Sequence, residues 1–454
     1  MKRKKRMKKS ARITFAIVLA IGIFLLAYAV LPEIGGEKPG ETLPETAGEA
    51  GVQTETKEDK PTVPEVTKPY LVSSASVGVT GDILIHETVY NAAKRSDGSY
   101  NFEENYEHIA SYFQRYDYMI ANLEVTLGGE KPSVGTYPSA YPLFNCPDSV
   151  VDALKKAGVD MVLTANNHSY DTRTAGLLRT VSVVRDKGLD YLGTRDNLEE
   201  SFYKVKDISG VKVGMACFTY STMSSSGIKA LNGITMDRDA GGYISSFSYD
   251  RLDEFYAEAQ KAISEMEEKG AEATIFYLHW GNEYQYVPTS YQTQMAKKLC
   301  EMGVDVIVGG HPHVIQPFDT ITAENGNETL CIYSTGNAIS NQRKFLMDSD
   351  NYSGHTEDGM IFGVTFEKYS DGTVRTGKVD ILPTWTIRER REGKYVFQII
   401  PLDLAVSDWT RFTLTDATVK EAKDSYNRTL ELVGQGLNAA REKRGQAPLA
   451  IQIS

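Results

Sequence analysis

Twice in this chain a helix end passes through a glycine and a Val-Asp pair into an apolar run that stops at a histidine. The two copies are ALKKAGVDMVLTANNH (Ala153–His168) and KKLCEMGVDVIVGGHPH (Lys297–His313). EKGAEATIFYLHWGNE repeats the plan around Gly270. Gly158 and Gly303 stand where a left-handed residue stops a helix. Each unit therefore reads as helix, stop, strand and polar turn. LVSSASVGVT, YDYMIANLEV and VKVGMACFTY add further strands, and Ser149–Ala157, Thr174–Lys187, Asp250–Lys269 and Ser290–Met302 read as helices. Strands alternating with helices dictate an α/β class, and such sheets gather ligands at the carboxyl ends of their strands. Past about Met360 the pattern becomes a meander, GMIFGVTFEKYS, GTVRTGKVDILPTWTI and KYVFQIIPLDL, with a hairpin turn at Ser370-Asp371-Gly372. Residues 415–445 read as a helix capped by Thr415 or Asp416.

The other end of the chain is of a different kind. Ile13–Leu31 holds nineteen residues without a charge, about 28 Å as a helix and close to the thickness of a bilayer core. Eight Lys and Arg precede it within twelve residues, which keeps that side cytoplasmic and sends the rest out. Residues 13–31 are thus expected to be an uncleaved transmembrane signal-anchor behind a cytoplasmic tail of residues 1–12. The alternative is a signal cleaved after the small-x-small Ala27-Tyr28-Ala29, giving a secreted protein. No Cys follows the run, so a lipoprotein anchor is excluded. Residues 32–70 hold six prolines, nine acids and no aromatic before Tyr70, a composition that cannot bury enough apolar surface to fold and reads as a disordered linker. Net charge is −11; with +8 on the first twelve residues and −5 on the linker, the body carries −14. Such a body is no partner for nucleic acid. Cys146, Cys217, Cys300 and Cys331 show no CxxC spacing, and Cys217 and Cys331 sit in apolar strands as small core residues.

Metal-ligating residue types gather at strand ends: Gly81-Asp82 with His86, Asn122-Leu123-Glu124, Asn166-Asn167-His168 with Asp171, His279-Trp280-Gly281, His311-Pro312-His313, and Ser334-Thr335-Gly336-Asn337. Five of the seven histidines fall in this set, while His108 and His355, in polar loop-like contexts, read as ordinary. Imidazoles and carboxylates aimed at one point from rigid elements suit a divalent transition metal. Two such ions about 3.5–4 Å apart can stabilise both oxygens of an in-line displacement.

The order GD, NLE, NNHSYD, HWG, GHPH and STGN resembles the CapA family of bacterial capsule-synthesis proteins, associated with poly-γ-glutamate, and through it the calcineurin-like metallophosphoesterases. The resemblance runs over about residues 73–340. It implies a four-layer αββα metallophosphatase-like sandwich at 71–345; the meander and the helix after it make 346–454 accessory strands and a closing helix. It implies one or two divalent ions, Mn, Fe or Zn. Asp82 and His313 would hold the first, Asn167, His279 and His311 the second, and Glu124 would bridge them. His168 would be the general acid or the donor to a phosphate oxygen. His86 is the remaining candidate ligand, four residues after Asp82 where the phosphoesterase pattern has two. The second motif has NLE in place of GDxxD.

Each residue also has a plainer reading. Asn122 and Asn337 fit turn chemistry, Asn167 tolerates a left-handed backbone, and Trp280 and Tyr284 either wall a pocket or pack. Leu127–Pro147, rich in Gly, Pro, Ser and Tyr, is expected to cross the mouth of the site. The expected role is a membrane-anchored, extracellular protein of capsule or surface-polymer biosynthesis or export, with a phosphoesterase-like hydrolase centre. Its partners would be the membrane, a surface polymer or phosphoester substrate, and other capsule-synthesis membrane subunits. The rivals are a non-catalytic polymer- or partner-binding subunit and a stand-alone extracellular phosphoesterase. No Walker loop or GxSxG elbow is present, so ATP-driven ligation and serine hydrolysis lack support.

Overall fold

The computed structural model describes residues 68–347, 355–404, 409–412 and 414–449. The expected anchor at 13–31 and nearly all of the linker lie outside these residues. Among the described residues no helix is long and apolar enough to cross a membrane.

The chain begins with β1 (Leu71–Ile83), three short helices α1 (Glu87–Ala93), α2 (Glu103–Tyr106) and α3 (Ala110–Phe113), and β2 (Tyr118–Leu123). Next come α4 (Ser149–Ala157), β3 (Met161–Leu163), α5 (Arg173–Asp186) and β4 (Asp190–Leu192). Then follow β5 (Tyr203–Ile208), β6 (Val211–Tyr220), the small strands β7 (Thr222–Met223), β8 (Lys229–Leu231) and β9 (Ile234–Thr235), and β10 (Ser246–Phe247). Helix α6 (Leu252–Glu268), β11 (Ala273–His279), α7 (Ser290–Glu301) and β12 (Val306–Gly310) carry the repeated plan. The chain continues with β13 (Phe318–Thr322), β14 (Glu328–Ile332), β15 (Asn337–Ile339), β16 (Asp358–Tyr369), β17 (Val374–Arg391), β18 (Lys394–Pro401) and α8 (Asp416–Lys443).

These strands make two large sheets. One runs β18-β17-β16-β1-β2-β3-β4, with β15 also on β1; the other runs β10-β6-β11-β12-β14-β13, with β5 also on β6. β7, β8 and β9 form a separate three-stranded sheet. Side chains alternate across each strand, and the core divides accordingly. Val77, Val79, Ile120, Met161 and Leu163 of the first sheet share one buried cluster with Val213, Met215, Cys217, Ile275, Tyr277, Val306 and Val308 of the second. Their neighbours face the other way: Met119, Ala121 and Val162 pack with Val151 and Leu154 of α4. Phe218, Phe276 and Ile307 pack with Ala259 and Ile263 of α6 and Leu299 of α7. Helix, sheet, sheet and helix are therefore stacked in that order.

The helix stops form as the glycines require, Gly158 at φ 102° and Gly303 at φ 93°. The Asp after each stop serves the neighbouring strand: Asp160 Oδ2 accepts from Met119 N–H at 2.7 Å, and Asp305 Oδ2 accepts from Thr274 N–H at 2.8 Å. Thr415 caps α8, accepting from Thr418 N–H. The C-terminal strands are continuous with the first sheet, because β16 pairs antiparallel with β1 from Leu71↔Tyr369 to Thr80↔Ile361. Tyr426, Leu430, Val433 and Leu437 of α8 enter the cluster between the sheets. All four cysteines are free and buried.

Candidate metal centre

The polar residues meet where the strands of both sheets end, and strand pleat explains the meeting. On β11, Ala273, Ile275 and Tyr277 face the other sheet, so His279, two residues on, continues that face. On β2, Tyr118 and Ile120 face inward, and Asn122 and Glu124 follow with the same period. β1 needs a correction, since Ala75, Val77 and Val79 would be followed inward by Gly81. A register shift between Thr80 and Asp82 supplies it, a bulge that re-aims the Asp82 carboxylate. In register, Asp82 lies beside Asn122 on β2 and Asn337 on β15, and His279 beside Gly310 on β12.

The chain then turns sharply enough to project two histidines from one tripeptide. His311 has φ 93° and His313 φ 56°, both in the region disfavoured for non-glycine residues, a strain that marks sites where geometry is held for a purpose. Gly310 is required here: a Cβ would lie 1.9 Å from Tyr277 Oη and 2.8 Å from Asp82 Oδ1.

Three close groups result, one with atoms of Asp82, Glu124 and His313, one with Glu124, His279 and His311, and one with Glu283, His311 and His313. Glu283 is exposed and the others are buried. His313 Nδ1 lies 3.1 Å from Asp82 Oδ2, and His313 Nε2 lies 3.7 Å from Glu124 Oε1. His279 Nε2 is 2.8 Å from Asn167 Oδ1 and 3.4 Å from Glu124 Oε1. Ligands about 2.0–2.2 Å from one ion and at right angles stand about 3 Å apart, so these spacings suit a shared cation. Glu124 Oε1 and His311 Nδ1 are buried without a hydrogen-bond partner. Lone pairs left bare in a dry site are costly, and a cation is what would satisfy them. The donor set fits a divalent transition metal.

Hydrogen bonds hold the carboxylates. Asn122 Nδ2 donates to Asp82 Oδ1 at 2.8 Å and to Glu124 Oε2 at 3.3 Å, Tyr277 Oη donates to Asp82 Oδ1 at 3.2 Å, and His311 N–H donates to Asp82 Oδ2 at 3.1 Å. Burial would raise the Asp82 carboxyl, but the His313 hydrogen bond and charge bring it below the ordinary value. Burial works against the His313 cation too, yet Glu124 and Asp82 lift that imidazole to about 9. His311 goes the other way, held neutral by burial and by the neighbouring His279 and His313. Tyr277 keeps its proton because it is buried beside Asp82 and Glu124.

His168 sits to one side, its Nδ1 2.8 Å from Asp171 Oδ2. Burial would lower its proton affinity, and Asp171 more than restores it. The Leu127–Pro147 segment does reach the site. Phe144 sets its ring 4.7 Å from His168 and 5.3 Å from His86, and its N–H donates to Asp171 Oδ2 at 2.7 Å. His86 joins none of the three groups. β1 has ended at Ile83, and His86 stands at the N-terminal boundary of α1 without a side-chain bond to that helix, its Nδ1 instead accepting from Asn341 N–H at 3.3 Å. Burial keeps it neutral, down to about 4.

The family described as bacterial capsule synthesis protein PGA_cap matches residues 76–342, the span that builds both sheet faces of this centre. The chain belongs to that family. As a PGA_cap protein it is 27% identical over 267 residues to the capsule biosynthesis protein CapA of Bacillus anthracis, covering 58% of this chain and 59% of that one. It is 25% identical over 279 residues to the PGA biosynthesis protein CapA of Bacillus subtilis (strain 168), covering 61% of this chain and 66% of that one. The chain thus spans less than two thirds of either relative. A purple acid phosphatase from yellow lupin seeds superposes with a TM-score of 0.32 at 14% identity, over 67% of this chain and 53% of that one.

Tyr277 of this PGA_cap centre escapes the sequence reading, although a lone phenol two residues before His279 in an apolar strand was a usable signal. Asn122 stood among the strand-end residues, but its reach to two carboxylates depends on the pairing of β1 with β2. Trp280 packs rather than lines a pocket, fully buried with Nε1–H donating to Tyr333 O at 2.9 Å. Tyr284 does face the centre, its ring 5.9 Å from that of His313. His355 pairs with Glu357 at 3.4 Å, away from the groups.

Proposed function

We propose that this protein is anchored in the cell membrane through residues 13–31, with its folded part outside on the 32–70 leash. It would serve the synthesis or export of a capsule or related surface polymer through a metal-dependent, phosphoesterase-like hydrolase centre. The observation that carries the hydrolase reading is that two buried groups, one with Asp82 and His313 and one with His279 and His311, share the single carboxylate of Glu124. Family membership supports the polymer context.

In this reading Asp82 and His313 would hold one ion, Asn167, His279 and His311 a second, with Glu124 common to both. Mn, Fe or Zn are the metals this donor set suits. Such ions, when bound, supply Lewis-acid stabilisation to a phosphoester oxygen. The rest falls to the chain's own groups. Asn122 and Tyr277 fix the carboxylates, so that charge is preorganised rather than recruited. Asp171 accepts from His168 Nδ1 and raises the proton affinity of the ring, so that in its doubly protonated form His168 can give the Nε2 proton to a departing oxygen. Phe144 packs against His168 and restricts water. A non-catalytic polymer- or partner-binding role is favoured by one observation, the separation of His86 from the ligand groups.

Metal content decides between them. The full chain, purified without chelator or affinity metal and read by plasma mass spectrometry, is expected to hold near-stoichiometric Mn, Fe or Zn that an Asp82→Ala/His313→Ala variant loses. No metal after incubation with Mn²⁺ or Zn²⁺ would sink the hydrolase reading and leave the binding one. Turnover of small phosphoesters by the isolated metal-loaded chain would favour a stand-alone phosphoesterase.

A further inference from the structure

One charge at the mouth of the centre has no role in the chemistry above. Glu283 is exposed, and one of its carboxylate oxygens lies within 4.8 Å of a ring nitrogen of both His311 and His313. The turn after β11 holds it there. Gly281 has φ 85°, where a Cβ would lie 2.6 Å from Gln292 Oε1. Tyr284 has φ 64°, and its N–H donates to Pro312 O at 2.7 Å. Aromatic rings lead outward from the same place: Tyr220 lies 4.8 Å from His311, Tyr249 lies 6.5 Å from Tyr220, and the exposed Tyr291 lies 4.8 Å from Tyr249. The Glu283 charge bears on the Tyr220 hydroxyl, adding to the effect of burial.

We propose that Glu283, with Tyr220 and Tyr249, forms a subsite for a substituted ammonium group, so that the substrate is zwitterionic: a phosphoester whose alcohol carries a positive charge. The electrostatics run from inside to outside. The inner groups suit cations and, through them, a phosphate; the outer ones are a carboxylate and aromatic rings whose faces are negative. A polyanionic strand would be repelled by Glu283, and a neutral sugar would gain nothing from its charge. A ligand with phosphate at one end and ammonium at the other matches both. The phosphate end rests on the metal-centre reading, while the ammonium end can be tested alone.

The test is ligand-observed NMR on the full chain, comparing choline with its uncharged carbon isostere dimethylbutanol, with metal content read on the same sample. Choline is expected to bind at least about fivefold more tightly than the isostere, and Glu283→Gln to remove that preference. Because Glu283 is exposed, the substitution leaves the core untouched, and metal content should match the parent; Tyr220→Leu should weaken choline in the same direction. Equal binding of choline and isostere would overturn the proposal. So would loss of metal in Glu283→Gln, which would make Glu283 a ligand instead. A parent without metal would count against the hydrolase reading, while the choline comparison would still decide the subsite.

Discussion

Among single residues, Glu357 ties the fold's stability to acid pH. Burial would raise its carboxyl, but the His355 ring, the Lys344 N–H at 3.1 Å and the Arg343 charge hold it down, from the ordinary 4.5 to about 2. A carboxyl depressed on folding contributes stability that is whole above about 4.5 and is lost as pH falls toward 2. A shift of this size corresponds to about 3 kcal/mol. Glu357→Gln should therefore lower stability by about 2–3 kcal/mol at pH 7, and the gap to the parent should close as pH falls through that window. Urea titrations of both proteins at neutral and acid pH measure it; a gap that stays constant would refute the assignment. Arg428 offers a second test. Its guanidinium grips the buried Asp358 with Nε at 2.9 Å and Nη2 at 2.8 Å, so Arg428→Ala should cost about 3–5 kcal/mol by leaving a buried acid unpaired. The Arg428–Asp358 pair was not visible in the sequence, because it joins residues 70 positions apart that only folding brings together.

At the scale of elements, the Val-Asp repeat explains both what could be read and what could not. The apolar runs after Gly158 and Gly303 announce strands, and their polar ends announce a site, since period and stop signals are local. The acid in each repeat gives no local hint that it ties two strands. Asp305 is the more engaged of the pair, accepting from Thr274 N–H at 2.8 Å and Oγ1 at 3.0 Å. Asp305→Ala should cost about 2 kcal/mol, and the more exposed Asp160→Ala about 1 kcal/mol, read as shifts in the urea midpoint at unchanged slope. Equal costs would mean that the strand tie is not what these acids supply. The strands β7 to β10 went unseen for a related reason: two or three residues carry no period. At the centre, the histidines were legible as strand-end residues, but the positive φ of His311 and His313 was not, because Pro312 between them suggests only a turn. The bulge that aims Asp82 inward is likewise a property of pairing with β2 and β15.

The whole molecule depends on its last hundred residues more than their pattern suggested. A meander after a βαβ region reads as an added layer, and residues 346–454 would then be dispensable for folding. The pairing argues against that. β16 covers one edge of β1 along nearly its whole length, and Met360, Phe362, Phe366 and Trp385 fill the cluster between the sheets. Helix α8 lies against β17 and β13, one strand from each sheet. Arg444, just past the end of α8, reaches Glu328 at 2.7 Å and Thr376 at 2.9 Å, so the helix end ties the sheets together as well as covering them. Burying a large apolar side chain contributes about 1.5–3 kcal/mol, and a domain's net stability is only about 5–15 kcal/mol. Losing four such side chains from β16 and β17 alone is enough to cancel it. Residues 68–345 made alone should therefore fail to give a cooperative urea transition and should bind ANS, whereas residues 68–454 should unfold in one step. A cooperative transition in the shorter fragment would show that β1 and the second sheet bury enough without the C-terminal strands. The metal centre would then belong to a smaller folding unit than the pairing of β1 with β16 implies.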